Sequence, residues 1–192
     1  MQEVVCFRLD NVNKTWYIRE MDISKEDKTR YAGKKGFNDK ECRDAFKRFM
    51  KENQTLNNFV FKYMKLKNDG QYKVIDDPLG KYSVDLGVVN TKSDEIVGLV
   101  EVDYFSSWGK LFPSYYRYCH RLQRKEKYYK NNNYPYINIT WNTLYTAGIV
   151  STRELEQEYE PRYKYFKMKG HYDWVREIPL NKSLTIGKFV KG

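Results

Sequence analysis

Apolar positions recur at helical spacing in two stretches of the chain. Cys42, Ala45, Phe46, Phe49 and Met50 form one stripe, and Leu56, Phe59, Val60, Tyr63 and Met64 form a second. Asn38, followed three residues on by Glu41, gives the first helix a capping-box start. The second is predicted to begin near Thr55, and both stripes read as core-facing. Elsewhere short β-rich runs dominate: 4–9 and 15–18 about a turn at 10–13, then 72–75, 136–141, 146–150, 174–175 and 184–186. Residues 68–70 and 77–80 carry turn chemistry. Pro113 opens a predicted helix running to about 130, closed by the Asn131–Asn133 run. Ser151 with Glu154 marks a further helix start, cut short by Pro161. Residues 22–37 read as a loop, and 162–176 shows no clear period. With no repeat and no linker, the pattern predicts a single domain over 1–192. Its class is α/β in the mixed α+β sense, a central mixed sheet flanked by helices.

Three carboxylates stand inside the most apolar part of the chain. Residues 82–89 and 96–103 are two β-rich runs around a polar turn at 90–95. Alternation places Val97, Leu99, Glu101 and Asp103 on one face of the second strand. A turn centred near Ser93 sets Asp85 opposite Glu101 on that face. Opposed like charges repel, and unpaired anions in such surroundings are costly. A divalent cation would make the arrangement favourable, and oxygen-only ligands suit Mg²⁺ or Mn²⁺. The competing reading is that these carboxylates are solvated at a strand end, because a shifted turn would separate them.

Composition narrows the partners. Thirty-five Lys and Arg against 25 Asp and Glu give a net charge of +10, which suits a polyanion such as nucleic acid. The 18 tyrosines suit base stacking or the margin of a core. The three cysteines, Cys6, Cys42 and Cys119, form no paired motif, and with two histidines they argue against a zinc site or a disulfide framework. No apolar run is long enough for a membrane span and no secretory signal is evident, so the expected location is the cytoplasm.

The order helix, strand with Asp85, strand with Glu101-x-Asp103, helix, strand resembles the PD-(D/E)xK nuclease superfamily, the restriction-endonuclease-like fold. The likeness covers about residues 38–150, leaving 1–37 as an N-terminal hairpin and loop and 151–192 as a C-terminal extension. The strand Val100–Asp103 followed by Trp108 and Pro113 is also similar to small phage proteins, which would put the chain in a host-cell cytoplasm. Asp85 matches the first acid of the family pattern and Glu101 the second. Val84 replaces the usual Pro, and Asp103 stands where the family has Lys. Three outcomes are open at that position: an active site with an acid there, a lysine moved to Lys110, Lys125 or Lys127, or a site that only binds.

The resemblance implies a Mg²⁺- or Mn²⁺-dependent endonuclease acting on DNA in preference to RNA, with a homodimer among the assemblies its relatives use. Asp85, Glu101 and Asp103 would be the metal ligands, joined by the Val102 carbonyl. Asp103 would also serve as proton acceptor, and Lys110 is the displaced lysine nearest along the chain. Glu41 is an extra acid or simply part of its capping box. Arg117, Arg121 and Arg124 form a row on the predicted helix, fit for phosphates or for plain solvation. Trp108 and Tyr104 would stack on a base or pack, and His120 is an assistant or a bystander. Two other readings stand beside the nuclease: a nuclease-fold protein that binds nucleic acid without turnover, and a phage or mobile-element accessory protein that binds a host protein.

Overall fold

The computed structural model describes residues 4–9, 16–21, 39–66, 71–80, 83–130, 132–166 and 171–190. The chain divides into two compact units, Met1–Asn38 and Asp39–Gly192. The first contains an antiparallel hairpin of β1 (Val4–Leu9) and β2 (Trp16–Met21), with Val4 paired to Met21 and Leu9 to Trp16. The turn expected at 10–13, the loop at 22–37 and the Asn38 cap lie outside the described residues.

The second unit begins with helix α1 (Asp39–Glu52) and helix α2 (Gln54–Tyr63). Between them Asn53 caps α2, its side-chain oxygen accepting from the Leu56 amide at 2.9 Å. The two predicted stripes are the buried faces: Phe46, Met50, Leu56 and Val60 are almost wholly enclosed. Burial of each such side chain contributes about 1.5–3 kcal/mol.

These helices cover one side of a six-stranded sheet ordered β11-β8-β7-β5-β4-β3. Its strands are β3 (Tyr72–Asp76), β4 (Leu86–Asn90), β5 (Ile96–Tyr104), β7 (Tyr136–Trp141), β8 (Ala147–Thr152) and β11 (Leu184–Gly187). β3, β4 and β5 form an antiparallel meander, β5 runs parallel to β7, and the remaining pairs are antiparallel. The fold is therefore mixed α/β with a central mixed sheet. Val100, Val102, Ile137, Ile139 and Trp141 face the helices and join their core.

The parity of β5 changes once. The register shifts between Val88 and Val89, leaving Val97 as the extra residue of a bulge. Val97 consequently packs on the helix-side core, while Leu99 lies in a separate cluster with Val84, Tyr129 and Tyr136. The expectation that Val97 shares a face with Leu99 is thus corrected.

The predicted helix at 113–130 does not form. Residues 118–122 are a strand, β6 (Tyr118–Leu122), followed by a 3-10 turn (Gln123–Glu126) and one helical turn, α3 (Lys127–Lys130). The short helix α4 (Arg153–Gln157) is capped by Thr152, one residue after the expected Ser151. The stretch without evident period contains β9 (Arg162–Phe166) and much of β10 (His171–Pro179), which complete a second sheet ordered β6-β10-β9. Among the described residues no helix is long and apolar enough to cross a membrane.

Candidate functional site

Register places a polar row across the sheet on the face opposite α1 and α2. Glu101 on β5 pairs with Asn138 on β7, which pairs with Ser151 on β8. Asp103 and Thr140 are the next pair along. On the other side, Leu86 pairs with Val100, so one further step sets Asp85 across from Glu101, just beyond the end of the β4 ladder. The expected hairpin register therefore holds as far as Leu86 and Val100, the pair next to the two acids.

Glu101 is 1% exposed, and the Lys125 ammonium lies in direct contact with its Oε1. Lys125 comes from the 3-10 turn and also stands 4.0 Å from Asp103 Oδ1. Glu101 Oε2 and Asn138 Oδ1 are buried oxygens with no hydrogen-bond partner among the described residues. Asn138 was not picked out in the sequence, although a lone amide in the run Tyr136–Trp141 is the signal for it.

Asp85 is held differently. Its Oδ1 accepts from Arg43 Nη2 at 3.1 Å, and its Oδ2 accepts from the Val102 amide at 3.0 Å. Arg43, on α1, also donates to Asp77 at 2.9 Å and lies 3.8 Å from Asp76. Burial opposes the charge on Arg43, but Asp77 and Asp85 outweigh it and hold the guanidinium more firmly protonated than usual. The three acids expected to converge thus divide between two cations, Arg43 at Asp85 and Lys125 at Glu101 and Asp103. Among the described residues no three His, Cys, Asp or Glu side chains are grouped to hold a metal ion.

A second buried network closes the other end of the row. Arg121 Nε donates to Ser151 Oγ at 2.7 Å, and the Ser151 hydroxyl donates to Glu156 Oε1 at 2.7 Å. Arg121 also donates to Thr140 Oγ1 and to the carbonyls of Asn138 and Ile149. Burial raises the Glu156 carboxyl to about 7, against the opposing effects of Arg121 and Ser151.

The arginine row does not exist as a helical face. Arg121 is 2% exposed because β6 turns it inward onto the sheet, which removes it from any nucleic-acid surface. Arg117 is exposed just before the strand, and Arg124 pairs with Asp173 at 3.5 Å from the 3-10 turn. Trp108 is wholly buried in an aromatic cluster, 5.2 Å from Phe112 and 5.5 Å from Phe189, so it cannot stack on a base. Tyr104 is partly buried against the helix-side core. Lys110 and Lys127 are exposed, and Lys125 is the lysine of the three that reaches Glu101. Glu41 is exposed on α1. His120 shares Glu177 with Lys164, its ring 3.2 Å from the carboxylate.

No family model, curated protein or solved structure matches this chain.

Proposed function

We propose that the chain is a metal-dependent nuclease that hydrolyses phosphodiester bonds, with DNA as substrate, on a restriction-endonuclease-like core. The observation that carries this reading is the meeting of Glu101 and Lys125, with Asp85 one residue beyond the Leu86–Val100 pair of the neighbouring strand. A lysine against the second acid supplies what Asp103 displaces from the family pattern. The succession of α1 and α2, the meander β3-β4-β5 and the parallel strand β7 also supports it.

The donors suit Mg²⁺ or Mn²⁺. Asp85, Glu101 and Asn138 offer only oxygen, and two of those oxygens are buried without a partner. Mg²⁺ commonly uses one or two carboxylates together with water and substrate phosphate, so a third protein carboxylate is not required. When bound, the ion would polarise the scissile phosphate and lower the pKa of a water. Lys125 offers a fixed positive charge to the phosphoryl oxygens where charge develops. Asp103, half-buried beside Lys125, is the nearby group suited to accept a proton from the attacking water.

A second reading, nucleic-acid binding without turnover, is favoured by one observation: both oxygens of Asp85 are already engaged, by Arg43 and by the Val102 amide. Plasmid, linear duplex and single-stranded substrates with Mg²⁺ or Mn²⁺ separate the two. Cleavage abolished by Asp85→Ala and Glu101→Gln supports the nuclease. Salt-sensitive binding with no cleavage under any condition selects the second reading, and no affinity at physiological salt removes both.

A further inference from the structure

The outer half of the β9–β10 ribbon keeps four large aromatic rings in water. Tyr163, Tyr165, Tyr172 and Trp174 are between 49% and 59% exposed. Cross-strand pairing explains their grouping: Tyr163 faces Trp174 and Tyr165 faces Tyr172, all on one side of the ribbon. Tyr163 and Tyr172 lie nearly parallel, 5.0 Å apart at 14°. Tyr163 to Trp174 and Tyr165 to Tyr172 are 5.3 and 4.9 Å. The rings thus brace one another into a continuous surface while remaining about half open. A contiguous exposed patch of this kind is uncommon unless something covers it.

We infer that this ribbon is a stacking platform for the unpaired bases of a single-stranded nucleic acid. Charge complementarity selects that occupant. The chain carries +10 overall; Arg162, next to Tyr163 along the chain and 76% exposed at its side chain, lies on the other side of the ribbon, 3.8 Å from Glu177. A positive surface tracks the phosphates while aromatic faces receive the bases, and stacking needs no particular sequence. A duplex hides its base faces within its own stack and gains little from such a platform. The ribbon is also tied to the site. Asp173, between Tyr172 and Trp174, pairs with Arg124, and the next residue, Lys125, rests on Glu101. The ribbon is therefore joined to the turn that carries the candidate catalytic lysine.

The test is fluorescence anisotropy with a labelled thymidine homo-oligomer of about 16 nucleotides and the matching duplex, at physiological salt in EDTA. The wild type is expected to prefer the single strand. Tyr163→Ala and Trp174→Ala are each expected to weaken it roughly tenfold, and Tyr163→Phe, which keeps the ring, to retain it. Because these side chains are half exposed, the variants should keep the wild-type melting temperature, and a matched melt establishes that each is folded. Wild-type affinity in the Tyr163→Ala/Trp174→Ala double variant would overturn the inference. So would preference for duplex, or no binding of the oligomer by the wild type, the outcome expected if a protein covers the patch. No divalent ion enters this assay, so its failure and a failure to cleave are separate results.

Discussion

Lys125 Nζ rests against Glu101 Oε1 and stands 4.0 Å from Asp103 Oδ1, so one ammonium serves two carboxylates on the same face of β5. Glu101 is almost wholly buried, and removing its cation would leave a charge in the sheet interior. Lys125→Met is expected to lower stability by about 3–5 kcal/mol in urea unfolding. Adding Glu101→Gln to that variant should recover most of the loss, because the stranded charge is gone. A double variant as unstable as the single one would show that the pair is not coupled.

Arg43 reaches three carboxylates, Asp76, Asp77 and Asp85, from one guanidinium. Arg43→Met is expected to cost about 1–3 kcal/mol, the penalty for charged groups left unmatched. Arg43→Lys should recover only part, since a single ammonium does not span the same partners. Thermal melts of both variants check the order.

Glu156 makes a pH prediction. Its carboxyl is raised from an ordinary 4.5 to about 7, first by burial, so the folded chain holds that proton more tightly than the unfolded chain. The resulting stabilisation is fully present below about 4.5 and is lost as pH rises through about 7. His120 acts in the opposite sense: burial, then Lys164, lowers its pKa below 6.5, so its contribution falls as the solution becomes more acidic. The two are separated by comparing wild type with Glu156→Gln. The melting temperature of the variant relative to wild type should climb between pH 4.5 and 7. A difference that stays flat across that window would contradict the assignment.

Two features of the sequence explain what was and was not legible. Carboxylates interrupting an alternating apolar hairpin are conspicuous, and the turn fixed the register as far as Leu86 and Val100. The Asp85 carboxylate, however, is taken by Arg43 and the Val102 amide, which no local pattern reports. The alternation carries no trace of the bulge that turns Val97 to the other face. In residues 117–124 arginines at helical spacing coexist with a strand in which Cys119 and Arg121 alternate inward. An inward arginine is stable there because Thr140, Ser151, Asn138 and Ile149 bring acceptors from β7 and β8 and Glu156 brings a carboxylate from α4, and no local pattern reports such partners. For the same reason Lys125 was one of three lysines until tertiary pairing selected it.

Gly98 lies under the residue that follows α2. A Cβ there would overlap the Met64 side chain, reaching 2.6 Å from Cε and 2.8 Å from Cγ. Met64 is buried, so it has little room to yield. Gly98→Ala is expected to cost about 1–3 kcal/mol by overpacking. Gly109→Ala, where nothing lies within 4 Å, serves as the neutral control. Urea midpoints of the two variants should differ accordingly.

The central claim is that Lys125 and Glu101 form the working centre of a hydrolase, and the rate of phosphodiester cleavage by lysine variants tests it most directly. With Mg²⁺ or Mn²⁺ present, Lys125→Ala that remains folded by circular dichroism should lose about a hundredfold or more in rate. Lys110→Ala and Lys127→Ala should cleave like wild type. Undiminished cleavage by Lys125→Ala, or none by the wild type on any of the three substrates, would contradict it.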